Sequence, residues 1–392
     1  MRYDFDQFPD RRVTDCDKWQ HYPEDVLPMW VADMDFVSPQ PVVQALLKRV
    51  EHGVFGYPRG LHGEPSAQPE LRAAILAWLE GHFGWQVEPQ ALVFVPGVAT
   101  GFRLACLLLE APREGALVQP PVYQPILKAA HITGKLDQQN PLLRSSDGIY
   151  TIDWDGLPAA ITAQTGLLLL CNPHNPVGRV FTRSELERLA QVCLSHDLLI
   201  CSDEVHCDLV YPGEQHLPLA ALDPEIARRT ITLMAPSKTF NLAGLKFAYA
   251  IIPNPELRRR YREASKGLVG WVNVLGQTAA LAAYTQGQEW LDQALAYLRA
   301  NRDLLADFVR HELPGVSLAK PQGTYLAWLD CRELGLEDPY QFFLENARVA
   351  CNNGADFGAG GRGFVRLNFA CPHSMLVEAL ERMRRALQAR VR

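Results

Sequence analysis

The sequence predicts an α/β fold, with a mostly parallel central sheet covered by helices on both faces and a smaller α+β unit beside it. Three observations carry this expectation. Between about residues 91 and 252, short and nearly continuous apolar runs alternate with helix-like stretches, the pattern of a parallel sheet buried on both faces. Polar residues with chemical potential (Asn175, Asp203, Lys238) fall at or just past the ends of such runs, where open α/β sheets bind ligands. Beyond residue 286 the pattern changes to long helices and two separated strands.

The elements follow in order. Residues 1–36 show no strong periodicity and read as an extended arm. Ser38-Pro39 opens a helix through about Glu51, with Ser38 as N-cap and Gly53 as the stop. Pro69 to Phe83 is a second helix, ended by Gly84. Strands are expected at Ala91–Val95, Ala116–Gln119, Leu167–Cys171, Leu198–Ser202, Ile231–Ala235 and Phe247–Ile252, with Thr182–Ser195 a helix between two of them. Helices then cover about 256–265, 274–286 and 288–311, strands Tyr325–Leu329 and Val365–Phe369, and a last helix 373–390. The expected division is a large domain at 48–286 and a small domain formed by 1–47 with 287–392.

Composition narrows the function. A chain of 392 residues, 48% hydrophobic and 21% charged, can bury a large core. A net charge of -6 and the lack of a Lys/Arg block argue against a nucleic-acid or membrane-surface role. Arg258-Arg259-Arg260 reads as a solvated helix face. The polar, acidic start shows no export signal, and the longest apolar strings are too short to cross a bilayer. Nine cysteines without a CxxC pair suit the reduced thiols of a cytoplasmic protein. Cys201, His206 and Cys207 lack a usual zinc spacing, so no metal is expected.

The chemistry lies in three segments, each after an apolar run. They are Asn172-Pro173-His174-Asn175-Pro176, Ser202-Asp203-Glu204-Val205-His206 and Pro236-Ser237-Lys238-Thr239. An Asn-Pro turn, a carboxylate and an amine nucleophile in that order suit an enzyme using pyridoxal 5'-phosphate, which needs a lysine to bond it and an acid at its ring nitrogen. Gly97-Val98-Ala99-Thr100 offers backbone N–H groups at a helix start, an anion site. Lys246 could meet a phosphate as a point charge, and Tyr123 could stack on a ring. Arg366, a charge inside an apolar strand, wants an anion: a substrate carboxylate or a structural salt bridge. Gly358-Ala359-Gly360-Gly361-Arg362-Gly363 matches a dinucleotide fingerprint but precedes its strand, so it reads as a flexible loop. Trp30, Trp271 and Tyr325 are further pocket candidates.

Together these residues resemble the fold-type I pyridoxal phosphate enzymes of the class I/II aminotransferase superfamily, along nearly the whole chain. Within it the chain is most similar to the MalY/PatB group of cystathionine β-lyases. The narrower likeness rests on Thr14-Asp15-Cys16-Asp17-Lys18-Trp19, Leu27 through Phe36, Phe55-Gly56-Tyr57 and Ala235 through Leu245. The resemblance implies that Lys238 bonds the cofactor and that Asp203 pairs with its ring nitrogen. Tyr123 stacks, Asn175 contacts the ring oxygen and the substrate carboxylate, and Val98, Ala99, Ser237 and Lys246 hold the phosphate. Arg366 binds the α-carboxylate with the backbone near Val31 and Ala32. Tyr57 reaches the phosphate region of a partner subunit's site and assists proton transfer, which implies a homodimer. His206 stands where many aminotransferases carry tyrosine, and Lys246 where they carry arginine; the lyase group shares both. Arg12-Val13 and Cys16 depart from the group's commoner N-terminal pattern.

The implied reaction is β-elimination from an S-substituted cysteine such as cystathionine, giving a thiol, pyruvate and ammonia. Transamination by the same lysine is the alternative, since fold does not decide between them. Some relatives also partner transcriptional regulators; no segment here forms a DNA-reading element, so such a role would be additional.

Overall fold

The computed structural model describes residues 2–58 and 68–391. Seven strands form the central sheet: β1 (Leu92–Val95), β2 (Gly115–Val118), β3 (Leu136–Gln139), β4 (Thr165–Cys171), β5 (Leu199–Asp203), β6 (Thr230–Met234) and β7 (Ala248–Ile251). Their order is β1-β7-β6-β5-β4-β2-β3. Only β7 runs against its neighbours; the other pairings are parallel. Side chains alternate between two cores as a pleated strand requires. Leu167, Leu169 and Cys171 of β4 join one apolar cluster with Phe102 and Leu257, while Leu168 and Leu170 join another with Leu186 and Leu189 of the helix Arg183–Ser195. The sheet is therefore covered on both faces.

The C-terminal part carries a four-stranded antiparallel sheet, ordered Ser317–Leu318, Leu326–Asp330, Phe364–Asn368, Asn352–Asn353. The helices Gln288–Glu312 and His373–Val391 accompany it. Among the described residues no helix is long and apolar enough to cross a membrane.

The arm is more ordered than its sequence suggests. Asp17–Gln20 forms a helical turn, and Leu27–Pro28 pairs in parallel with Val349–Ala350. A buried ion network then fixes the next stretch. Lys18 donates to Asp35 at 2.7 Å, Trp19 Nε1 to the same carboxylate at 2.9 Å, and Arg11 to both Asp33 and Asp35. Burial would raise Asp33, but Arg11 and Lys18 outweigh it and hold the carboxyl below its usual range. The Asn241 amide binds Met34 N, Met34 O and Phe36 O, tying the segment to the large sheet's side.

Three local expectations need correction. Ser38 is not an N-cap: the helix Gln40–Glu51 starts after Pro39 without a side-chain cap, and the Ser38 hydroxyl donates to Asn241 O. The glycine-rich stretch before Arg366 is a packed turn. A Cβ on Gly361 would lie 2.0 Å from the Gly354 carbonyl oxygen, so only glycine fits there. The edge strand β3 was not expected from its polar sequence, Leu136-Asp137-Gln138-Gln139.

Candidate active site

A cavity of about 340 Å³ opens at the carboxyl ends of β4, β5 and β6. β4 ends at Cys171, and the turn that follows presents Asn175, whose backbone carbonyl accepts Tyr123 N at 3.0 Å. β5 ends on Asp203 itself, with His206 in the next turn. β6 ends at Met234 and leads straight into the short helix Pro236–Thr239, which carries Ser237 and Lys238. The helix Val98–Cys106 points its N-terminus at the same space through Gly97, Val98 and Ala99. Of the sequence-derived candidates, Val31, Ala32, Val98, Ala99, Tyr123, Asn175, Asp203, His206, Ser237, Lys238, Lys246 and Arg366 all line this cavity.

Charges inside it are strongly perturbed. Burial pulls the Lys238 ammonium down to about 8 and pushes the Asp203 carboxyl up to about 7. Burial also holds His206 well below its normal value, so its imidazole is neutral. The Lys238 amine donates to the Ala32 carbonyl at 2.6 Å. Asp203 accepts Val205 N at 3.2 Å, and no salt bridge to it occurs among the described residues.

Arg366 is 4% exposed. It donates to Asn175 Oδ1 at 2.9 Å, Trp30 O at 3.0 Å and Asn352 Oδ1 at 2.5 Å, all neutral acceptors. Its Nε has no hydrogen-bond partner, and burial lowers its pKa to about 10. Among the described residues no carboxylate pairs with it, so the salt-bridge alternative falls away. A buried guanidinium without a counter-ion among the described residues can receive a carboxylate.

Asn352 was not foreseen. It lies opposite Arg366 in strand register, a relationship that no local sequence signal announces. Tyr57 does not line this cavity; it is 74% exposed and meets the Trp271 ring edge-on at 4.9 Å. Trp271 thus lies outside the site as well. Trp30 lines the cavity, while Tyr325 is buried beneath it and donates to Ala32 O at 2.9 Å.

The donor set fits pyridoxal phosphate. A helix N-terminus, a hydroxyl and Lys246 can receive a phosphate, Tyr123 provides an aromatic face, and a buried carboxylate without a salt bridge can meet a protonated ring nitrogen. The relatives agree with that chemistry. Cystathionine beta-lyase PatB of Bacillus subtilis is 38% identical, over 98% of this chain and 99% of that protein. The crystal structure of OvoB is 43% identical with a TM-score of 0.93, covering 99% of this chain and 100% of the other. Cystalysin of Treponema denticola, whose structure contains pyridoxal 5'-phosphate, is 32% identical with a TM-score of 0.93 and the same coverage. Residues 25–383 match the family described as aminotransferase class I and II, and this chain belongs to that family.

Proposed function

We propose that this protein is a pyridoxal phosphate-dependent carbon–sulfur β-lyase acting on S-substituted cysteines such as cystathionine. The observation that carries the reading is the buried Arg366 guanidinium, free of any carboxylate among the described residues and facing the same cavity as the Lys238 amine. One residue can hold an amino acid's α-carboxylate while the other handles its Cα proton.

When bound, the cofactor supplies an electron-accepting ring that makes the substrate's Cα–H acidic. The rest is the chain's work. Val98, Ala99, Ser237 and Lys246 would hold the phosphate, Asp203 would pair with the ring nitrogen, Tyr123 would stack, and Asn175 and His206 would serve the ring oxygen. Arg366, with Asn175 and the backbone at Val31 and Ala32, fixes the α-carboxylate and so orients the Cα–H. Lys238, whose amine ionises near 8, is partly unprotonated at neutral pH and takes that proton as base. The same amine can return it to the departing sulfur. With one water consumed, the products are a thiol, pyruvate and ammonia.

The cations lining the cavity are Lys238, Lys246 and Arg366. With the first two engaged by the cofactor, Arg366 is the cation left for the substrate among the described residues lining the cavity, which disfavours aspartate or glutamate, with their short side-chain carboxylates, as amino donors within this chain. We also propose a homodimer and the division into domains at 48–286 and at 1–47 with 287–392. Val54, Phe55, Tyr57, Leu268 and Trp271 expose large apolar surface, which a second copy would cover; Tyr57 would then serve the neighbouring site.

The test is incubation with L-cystathionine and no keto acid, following pyruvate and free thiol together. Multiple-turnover release of both in equal amounts supports the lyase. Conversion of the cofactor to its aminated form without pyruvate would favour transamination.

A further inference from the structure

Among the described residues the Lys238 amine makes one direct hydrogen bond, to the carbonyl of Ala32 at 2.6 Å. That oxygen has a second donor, the hydroxyl of Tyr325 at 2.9 Å. The carbonyl itself is firmly placed. Asn368 Nδ2 donates to the neighbouring carbonyls of Val31 (2.6 Å) and Asp33 (2.7 Å), and Arg366 donates to Trp30 O. Behind them the Arg11–Lys18–Asp33–Asp35 network closes the segment. Tyr325 is fully buried, and the His206 ring meets its ring edge-on at 5.8 Å.

A lysine amine bonded to a cofactor has no spare N–H of this kind, so the bond to Ala32 belongs to the amine once it is released. Release is when the lysine must act as a base. A free lysine side chain has four rotatable carbons and much rotamer entropy to lose. An N–H held by a fixed carbonyl restricts the amine and keeps it beside the cavity that Lys238 lines.

We propose that the Ala32 carbonyl, braced by the Tyr325 hydroxyl, is the holding point for the released Lys238 amine, and that Tyr325 is a positioning residue for proton removal from Cα. The idea rests on the proposed chemistry only in taking Lys238 as the base, which lyase and aminotransferase share.

Tyr325→Phe tests it, because it keeps the ring against His206 and deletes only the hydroxyl. Three readouts apply to the holoenzyme and cofactor-free protein. With substrate, kcat should fall about tenfold while KM changes less than about twofold. That loss corresponds to about 1.4 kcal/mol. The isotope effect on kcat with α-deuterated substrate should rise, because proton removal has become slower. In the cofactor-free protein, the rate of pyridoxal phosphate capture by Lys238 should fall at least about threefold, with the melting temperature unchanged. Tyr325→Leu, which also loses the ring, should add instability without a larger isotope effect. An unchanged kcat and isotope effect in Tyr325→Phe would overturn the proposal. So would a fall in kcat matched by a rise in KM at a constant isotope effect. Failure of the lyase reading is separable: the isotope effect would then be read on amino transfer, with the same expectation.

Discussion

Arg366 and Asn175 meet at 2.9 Å although 191 positions separate them in the chain. The first comes from an inner strand of the small sheet and the second from the turn after β4 of the large one. The bond therefore joins the two sheets at the point where a substrate carboxylate would lie. Arg366→Lys should raise KM for the amino acid about 10- to 100-fold, the loss expected when charge-assisted hydrogen bonds are removed. Steady-state kinetics with one S-substituted cysteine check this, and a KM within twofold of wild type would refute it.

Much of this constellation was legible because it is local. Lys238, Asp203 and Asn175 each follow a buried apolar run, and a parallel sheet brings such ends together. The edge strand β3 escaped because three of its four residues are exposed, so it lacks an apolar signature. Asn352 and the holding bond of Lys238 escaped for another reason. They depend on strand register and on where the arm lies, which are tertiary facts. The likeness of Thr14–Trp19 and Leu27–Phe36 to other lyases could be read early, but its physical sense, a buried ion network beside backbone carbonyls that Asn368 and Arg366 hold, could not.

Stability of the cofactor-free protein should depend on Asp203. Burial raises this carboxyl to about 7 from 3.8, so the native state keeps a proton that the unfolded chain releases. The contribution is fully present below about pH 4 and is lost as pH rises toward 7. Asp203→Asn removes that slope. Urea midpoints at pH 5 and pH 8 should converge in the variant and separate in the wild type, while the variant binds pyridoxal phosphate more weakly. Equal slopes in both proteins would contradict the assignment.

The arm's network should matter for both stability and substrate binding. Lys18 is 2% exposed and Asp35 0%. Lys18→Met leaves the Asp35 carboxylate with Arg11 and Trp19 but without its buried cation. A cost of about 3 kcal/mol is expected for breaking such a pair. Chemical denaturation measures it. Because Lys18 also donates to Asp33 O at 3.3 Å, the stretch that carries Trp30, Val31 and Ala32 loses one anchor, and KM should rise as well.

Glu204 sits beside Asp203 but faces away from the cavity. Its carboxylate accepts Ser202 Oγ at 2.7 Å, His216 Nε2 at 2.8 Å and Leu219 N at 3.2 Å. The pair fastens the loop that carries His206. His216→Ala should destabilise by about 3 kcal/mol by leaving a buried carboxylate short of a donor, and His216→Gln should recover part of it. Equal stability of the three proteins, read from thermal melts, would show that the pair does not hold the loop.

The most direct test asks which amine the chemistry uses. The cofactor-loaded enzyme would be reduced with borohydride, digested and mapped by mass spectrometry. The cofactor's mass is expected on one peptide, the one containing Lys238, and Lys238→Ala should lose both that label and all pyruvate release. A label on Lys246 or another lysine, or turnover retained by Lys238→Ala, would contradict it.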